Sequence, residues 1–96
     1  MTTIIKAKKI GKNRGKPRLW IEGKMLLNND WIKGVQFQVE YFPTGVRIDR
    51  GIDSNHTVAG SFERPIIDLN NSQLPDIDGA TYTMIIDPNT ITLELN

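Results

Sequence analysis

From Val35 to Tyr41 the chain alternates apolar and polar side chains at every step, VQFQVEY. This is the period-2 pattern of a strand with one face buried and the other in water. Phe42-Pro43-Thr44-Gly45 supplies turn chemistry and Val46-Arg47-Ile48-Asp49 resumes the alternation, so the stretch predicts an antiparallel hairpin. A shift of 45 positions lays Gly34 on Gly79, Phe37 on Tyr82, Pro43 on Pro88, Val46 on Ile91 and Ile48 on Leu93 without a gap. A second hairpin, Thr81 to Ile86 returning through Asp87-Pro88-Asn89 into Ile91 to Leu95, follows from that register. Its matching alternate positions predict a shared core of Phe37, Val39, Val46, Ile48, Tyr82, Met84, Ile91 and Leu93.

Shorter signals precede each hairpin. Leu19-Trp20-Ile21 reads as a strand broken at Glu22-Gly23, and Ile66-Ile67-Asp68-Leu69 as its later counterpart. Lys24 to Leu27 has room for one helical turn. Trp31 and Ile32, set between turn residues, cover the core, as do Leu74 and Ile77 in the connection from Asn70 to Asp78. Thr57-Val58-Ala59 offers one extra strand, and helix is otherwise absent. The fold class expected is mostly β: a small antiparallel, barrel-like domain of two hairpin units in one chain, paired so that no sheet edge stays open. Its parts are a basic arm (1–18), which reads as a short strand at most followed by a flexible basic segment with only Ile4, Ile5 and Ile10 to bury, then a first unit (19–49), a connector (50–64) and a second unit (65–96).

Ninety-six residues suit a single domain covering 1–96. The chain has no cysteine, which removes disulfides, thiolate metal sites and thiol nucleophiles, and suits a reducing cytoplasm. No signal peptide or membrane span is evident, so a soluble cytoplasmic protein is expected. The net charge is only +1, but it is polarised. Residues 1 to 18 hold seven Lys or Arg and no acid, while from Pro65 onward there are five acids and no Lys or Arg. A polyanion should meet the first part of the chain.

Catalytic constellations are missing. The single His56 lies in the polar connector, Asp76 and Asp78 have no third ligand at metal-binding spacing, and no glycine opens a phosphate loop. No enzyme, cofactor or metal is expected. Trp20, Trp31, Phe37 and Tyr82 have faces on which a base can stack, yet each sits in an apolar pattern that assigns it to the core.

Pro17-Arg18-Leu19-Trp20-Ile21-Glu22-Gly23-Lys24-Met25-Leu26 and Ile32-Lys33-Gly34-Val35-Gln36-Phe37-Gln38-Val39 resemble the opening and centre of the swapped-hairpin DNA-binding domains of the AbrB, MazE and SymE group, SymE-like sequences above all. With Ile10 to Gly15 and Arg64 to Asn70, the chain is also similar to a tandem module found beside phage DNA cytosine methyltransferases. The resemblance implies a phage-derived protein in which one chain supplies both halves of a dimer, giving a pseudo-dimeric monomer or a dimer. A DNA methyltransferase or another protein is a possible partner. The second unit departs from the pattern, since it lacks basic residues and any counterpart of Trp20 to Lys24.

The functional reading is a non-enzymatic module that binds DNA, in duplex form, through phosphate contacts of the basic arm. The residues assigned to DNA are Lys6, Lys8, Lys9, Lys12, Asn13, Arg14, Lys16 and Arg18, with Lys24 beside Gly23. The alternative is a small protein-binding module that modulates a host or phage DNA-acting enzyme.

Overall fold

A computed structural model describes residues 2–96. Its elements are β1 (Thr3–Lys8), β2 (Gly11–Asn13), β3 (Lys16–Glu22), α1 (Lys24–Leu27), β4 (Gln36–Phe42), β5 (Gly45–Arg50), β6 (His56–Thr57), β7 (Ala59–Gly60), β8 (Pro65–Asn70), β9 (Tyr82–Ile86) and β10 (Thr90–Leu95). The strands form two antiparallel sheets, one of six in the order β1-β9-β10-β5-β4-β6 and one of four in the order β2-β3-β8-β7. Inward-facing side chains of both sheets meet in one core. Among the described residues, no helix is long and apolar enough to cross a membrane.

Two expectations about the outline are corrected. The sheets do not close into a barrel, and each keeps two edge strands: β1 and β6 in the larger, β2 and β7 in the smaller. The short strand expected in the basic stretch is β1, which pairs with β9, with Thr3 opposite Ile86 and Ile5 opposite Met84, but the segment expected to be flexible after it forms β2 and pairs with β3. Ile5 and Ile10 pack on the core and hold this stretch in place, which so basic a composition concealed. The chain changes sheets at both lateral sides, through Lys9 and Ile10 between β1 and β2 and through buried Val58 between β6 and β7. Val58 is anchored by backbone bonds to Gly34 and Val35.

The pairings have a simple arithmetic. In the hairpin β4–β5 Val39 faces Ile48, and 45 residues later in β9–β10 Met84 faces Leu93. In β2–β3 Gly11 faces Arg18 and Lys12 faces Pro17; 48 residues later in β7–β8 Ala59 faces Ile66 and Gly60 faces Pro65. The two offsets differ because the connection from β3 to β4 contains α1 and the one from β8 to β9 has no helix. The two parts of the chain meet at β5–β10, with Arg47 opposite Thr92, and at β3–β8, with Trp20 opposite Asp68. The approach at β5–β10 is close enough that a Cβ on Gly45 would run into the carbonyl of Leu93.

Alternation accounts for the core. Phe37, Val46, Ile48, Tyr82, Met84, Ile91 and Leu93 are buried, while Val39 is half-buried against them. Leu19, Ile21, Ile67 and Leu69 close the core from the smaller sheet, with Leu26, Trp31 and Leu74 added by the connections. Trp20, expected in the core, lies on the outer face, because of three consecutive apolar residues in a strand the middle one must point away from its neighbours. Ile77, expected inward, is exposed in its turn.

Two polar side chains near the core yield opposite predictions. The Tyr82 hydroxyl is buried without a hydrogen-bond partner among the described residues, and burial pushes its pKa up. Tyr82→Phe is therefore expected to raise the urea midpoint, by a stability gain on the order of 1 kcal/mol, as a desolvated donor disappears. In the turn from β9 to β10, Asp87 accepts bonds from the Asn89 and Thr90 amides at 2.8 and 2.9 Å. These bonds favour the carboxylate and lower its pKa below the ordinary 3.8. Asp87 thus contributes stability that is complete above that ordinary value and lost as pH falls through the lower folded one. Asp87→Asn should flatten the acid limb of a pH–stability curve and leave its alkaline limb unchanged.

Candidate nucleic-acid interface

The basic residues of the N-terminal stretch follow one lateral side of the molecule, along β1, over the crossing and down the β2–β3 hairpin. A β-bulge interrupts the β1–β9 ladder between Ile5 and Lys8, and Lys6 lies exposed within it, its carbonyl accepting a bond from Asn96 Nδ2 at 2.7 Å. Lys9 is exposed at the crossing.

The hairpin turns through Arg14 and Gly15, at φ values of 55° and 77°. Two consecutive left-handed residues are what a two-residue β-hairpin loop needs. Asn70 on β8 secures it: its Nδ2 donates toward the carbonyls of Pro17 at 3.0 Å and of Asn13 and Lys16 at 3.3 Å, and its Oδ1 accepts from Asn13 Nδ2 at 3.2 Å. Arg14 at the tip and Lys16 beside it are exposed. Lys6, Lys9, Arg14 and Lys16 make no ion pair among the described residues.

The other expected DNA contacts are engaged elsewhere. Lys8 is half-buried and donates from Nζ to the Trp20 carbonyl at 2.7 Å, beyond the point where β2 stops pairing with β3; burial lowers its pKa. It fastens the larger sheet to the smaller one. Arg18 holds both Asp68 carboxylate oxygens at 2.9 Å and stacks its guanidinium over Trp20, 4.5 Å from the ring centroid. The bonds to Asp68 raise its pKa and occupy its fork. Lys12 has an exposed pairing with Asp76 at 3.4 Å, a weak tie in open water. Asn13 serves the hairpin. Lys24 lies past the far end of β3 from Lys16, separated from it by about 25 Å at the usual rise per strand residue, and so does not belong to the same patch.

The opposite lateral side is different. At the matching turn of the β7–β8 hairpin stand Phe62 and Glu63, and Arg64 pairs with Glu22 at 3.6 Å. His56, expected as a solvated turn residue, is half-buried and stacks on Phe37 with ring centroids 5.2 Å apart. A groove of about 550 Å³ lies along Phe42–Arg47 and Thr92–Leu95, away from the basic residues of the N-terminal stretch. Among the described residues no three His, Asp or Glu side chains gather as a metal site.

Sequence reasoning missed the partners Asp68, Asp76 and Asn70, which come from a distant part of the chain. The outward position of Trp20 was available, since Leu19 and Ile21 demand it. Comparison of the chain with protein-family models, with curated proteins and with solved structures gives no match.

Proposed function

We propose that this chain is a non-enzymatic DNA-binding module that grips the phosphates of duplex DNA with the lateral side formed by β1, the crossing and the β2–β3 hairpin. The observation that carries this reading is the set Lys6, Lys9, Arg14 and Lys16: four exposed cations in one continuous stretch, with no ion-pair partner among the described residues. Held on paired strands or in the short connections between them rather than on a loose arm, these cations lose less freedom on binding. The Arg14–Gly15 tip is a two-residue turn and the part of that side best suited to enter a groove.

The same proposal takes the chain as two AbrB/SymE-like hairpin units fused into a pseudo-dimer. Exchanging β1–β5 for β6–β10 reverses the strand order of each sheet and otherwise leaves it unchanged, which supports this reading. On it the units run from β1 to β5 and from β6 to β10, so the basic stretch and the connector are equivalent parts, one basic and one not. DNA then meets one side only.

A gel-shift on mixed-sequence duplex at low and raised salt tests the proposal; absence of a shift at low salt overturns it. The protein-binding alternative is favoured by a separate feature, the outer edge of β4.

A further inference from the structure

The hairpins β4–β5 and β9–β10 share one register but not one environment. On β9, Met84 and Ile86 turn their backbone N–H and C=O groups toward β1, which pairs with them through Ile5 and Thr3. Both side chains are 0% exposed. The residues 45 positions earlier are Val39 and Tyr41. The Val35 carbonyl accepts from Val58 on the outer side of β4 and the Gln36 carbonyl from Gly51 on the β5 side. Backbone groups alternate sides along a strand, so Val39 and Tyr41 face outward. There β6 pairs with Gln36 and Phe37 only. Val39 and Tyr41 thus hold two N–H and two C=O groups off the sheet without a partner among the described residues, and their side chains are only half-buried.

Chain length explains the gap. Arg50 at the end of β5 and His56 at the start of β6 both lie beside Phe37. Residues 51–55 must pass around the end of β4, across two strand spacings or about 10 Å, and cannot also run up to Tyr41. They form a loop that leaves Ile52 87% exposed.

We infer that the β4 edge from Val39 to Phe42 is a docking site for an extended segment of another protein, added as an antiparallel strand as β1 is added to β9. Backbone hydrogen bonds supply affinity in such additions and alternate side chains supply selectivity. A second copy of this chain is a poor occupant. Pairing two β4 edges about Glu40 sets two carboxylates face to face, pairing them about Val39 drives the partner's Tyr41 against the site of β6, and pairing them about Tyr41 puts Pro43, which has no N–H, opposite Val39. The segment that fits carries an apolar residue opposite Val39, as Ile5 stands opposite Met84, and Lys or Arg opposite Glu40. Glu40 is exposed without an ion pair among the described residues, since its cross-strand neighbour Arg47 is bonded to Asp49 at 3.0 Å.

The probe is a capped peptide of residues 2–6 carrying Ile4→Lys, which reproduces the β1 register with a lysine opposite Glu40 and ends before the place of β6. Titrated into the isotopically labelled protein, it should shift the amides of Val39 to Phe42 and slow exchange at Val39 and Tyr41. Val39→Pro removes an N–H that the fold leaves unused, so it should preserve the remaining spectrum and weaken binding by about tenfold or more. N-methylation of the peptide isoleucine facing Val39 should do the same to the unaltered protein. No shift at millimolar peptide, shifts confined to β9 from displacement of β1, equal binding by the N-methylated peptide, or self-association of the protein through β4 would each overturn the inference.

Discussion

Trp31→Ala is expected to lower the free energy of unfolding by about 3–5 kcal/mol, the usual cost of truncating a buried aromatic. Stabilities of such domains are about 5–15 kcal/mol, so much of the protein would be unfolded under mild stress. Trp31 is 0% exposed and donates its indole N–H to the Asp87 carbonyl at 2.7 Å. It meets Phe37 edge-on at 6.3 Å, and the Arg50 guanidinium lies 4.9 Å from its ring centroid while bonding to the Asp30 carbonyl at 2.6 Å. Truncation leaves a cavity, an unpartnered carbonyl and an arginine with nothing beneath it. Trp20→Ala, on the outer face, should cost about 1 kcal/mol or less. Urea denaturation of the two variants measures the contrast, and equal losses would contradict the placement of the two rings.

The second large effect is on salt dependence. With about four phosphate contacts the logarithm of affinity should fall with the logarithm of salt at a slope near −4, a loss of about two orders of magnitude between 50 and 200 mM. Replacing Lys9, Arg14 and Lys16 together should bring the slope to about −1 and make binding at low salt much weaker. Gln suits positions 9 and 16. Asn suits position 14, because its φ of 55° is left-handed and Asn tolerates that conformation. Lys24→Gln should leave the slope unchanged. A slope that follows Lys24 rather than the hairpin would move the contact surface to the other end of the smaller sheet.

The strands were legible because alternation is a local signal: β4, β5, β9 and β10 fall where Val35 to Ile48 and its later counterpart place them. Alternation says nothing about which strand lies beside which. That β1 would pair with β9, or that residues 56–60 would cross between sheets, depends on contacts between distant segments. The later part of the basic stretch was misjudged for a related reason: edge strands tolerate lysines on their outer side, so β2 reads as a flexible segment. Charge placed seven cations in one stretch, but nothing in the sequence marked Lys8 as a fastener, or showed that Asp68 would occupy Arg18 and Asp76 would pair with Lys12.

The pairing of β1 with β9 also has a consequence for synthesis. Ile4 and Ile5 are made about 80 residues before the strand they pair with, which contains Met84 and Ile85. At about 5–20 residues per second the wait is several seconds to more than ten. During it the β2–β3 and β4–β5 hairpins can form, but the core cannot close, because β3 still lacks β8 and β5 still lacks β10. Folding is expected to wait for these distant pairings and to be slow for a domain of this size. The lysines at positions 6, 8 and 9, which closely follow those isoleucines, are expected to keep the waiting strand from pairing with its copies on neighbouring chains.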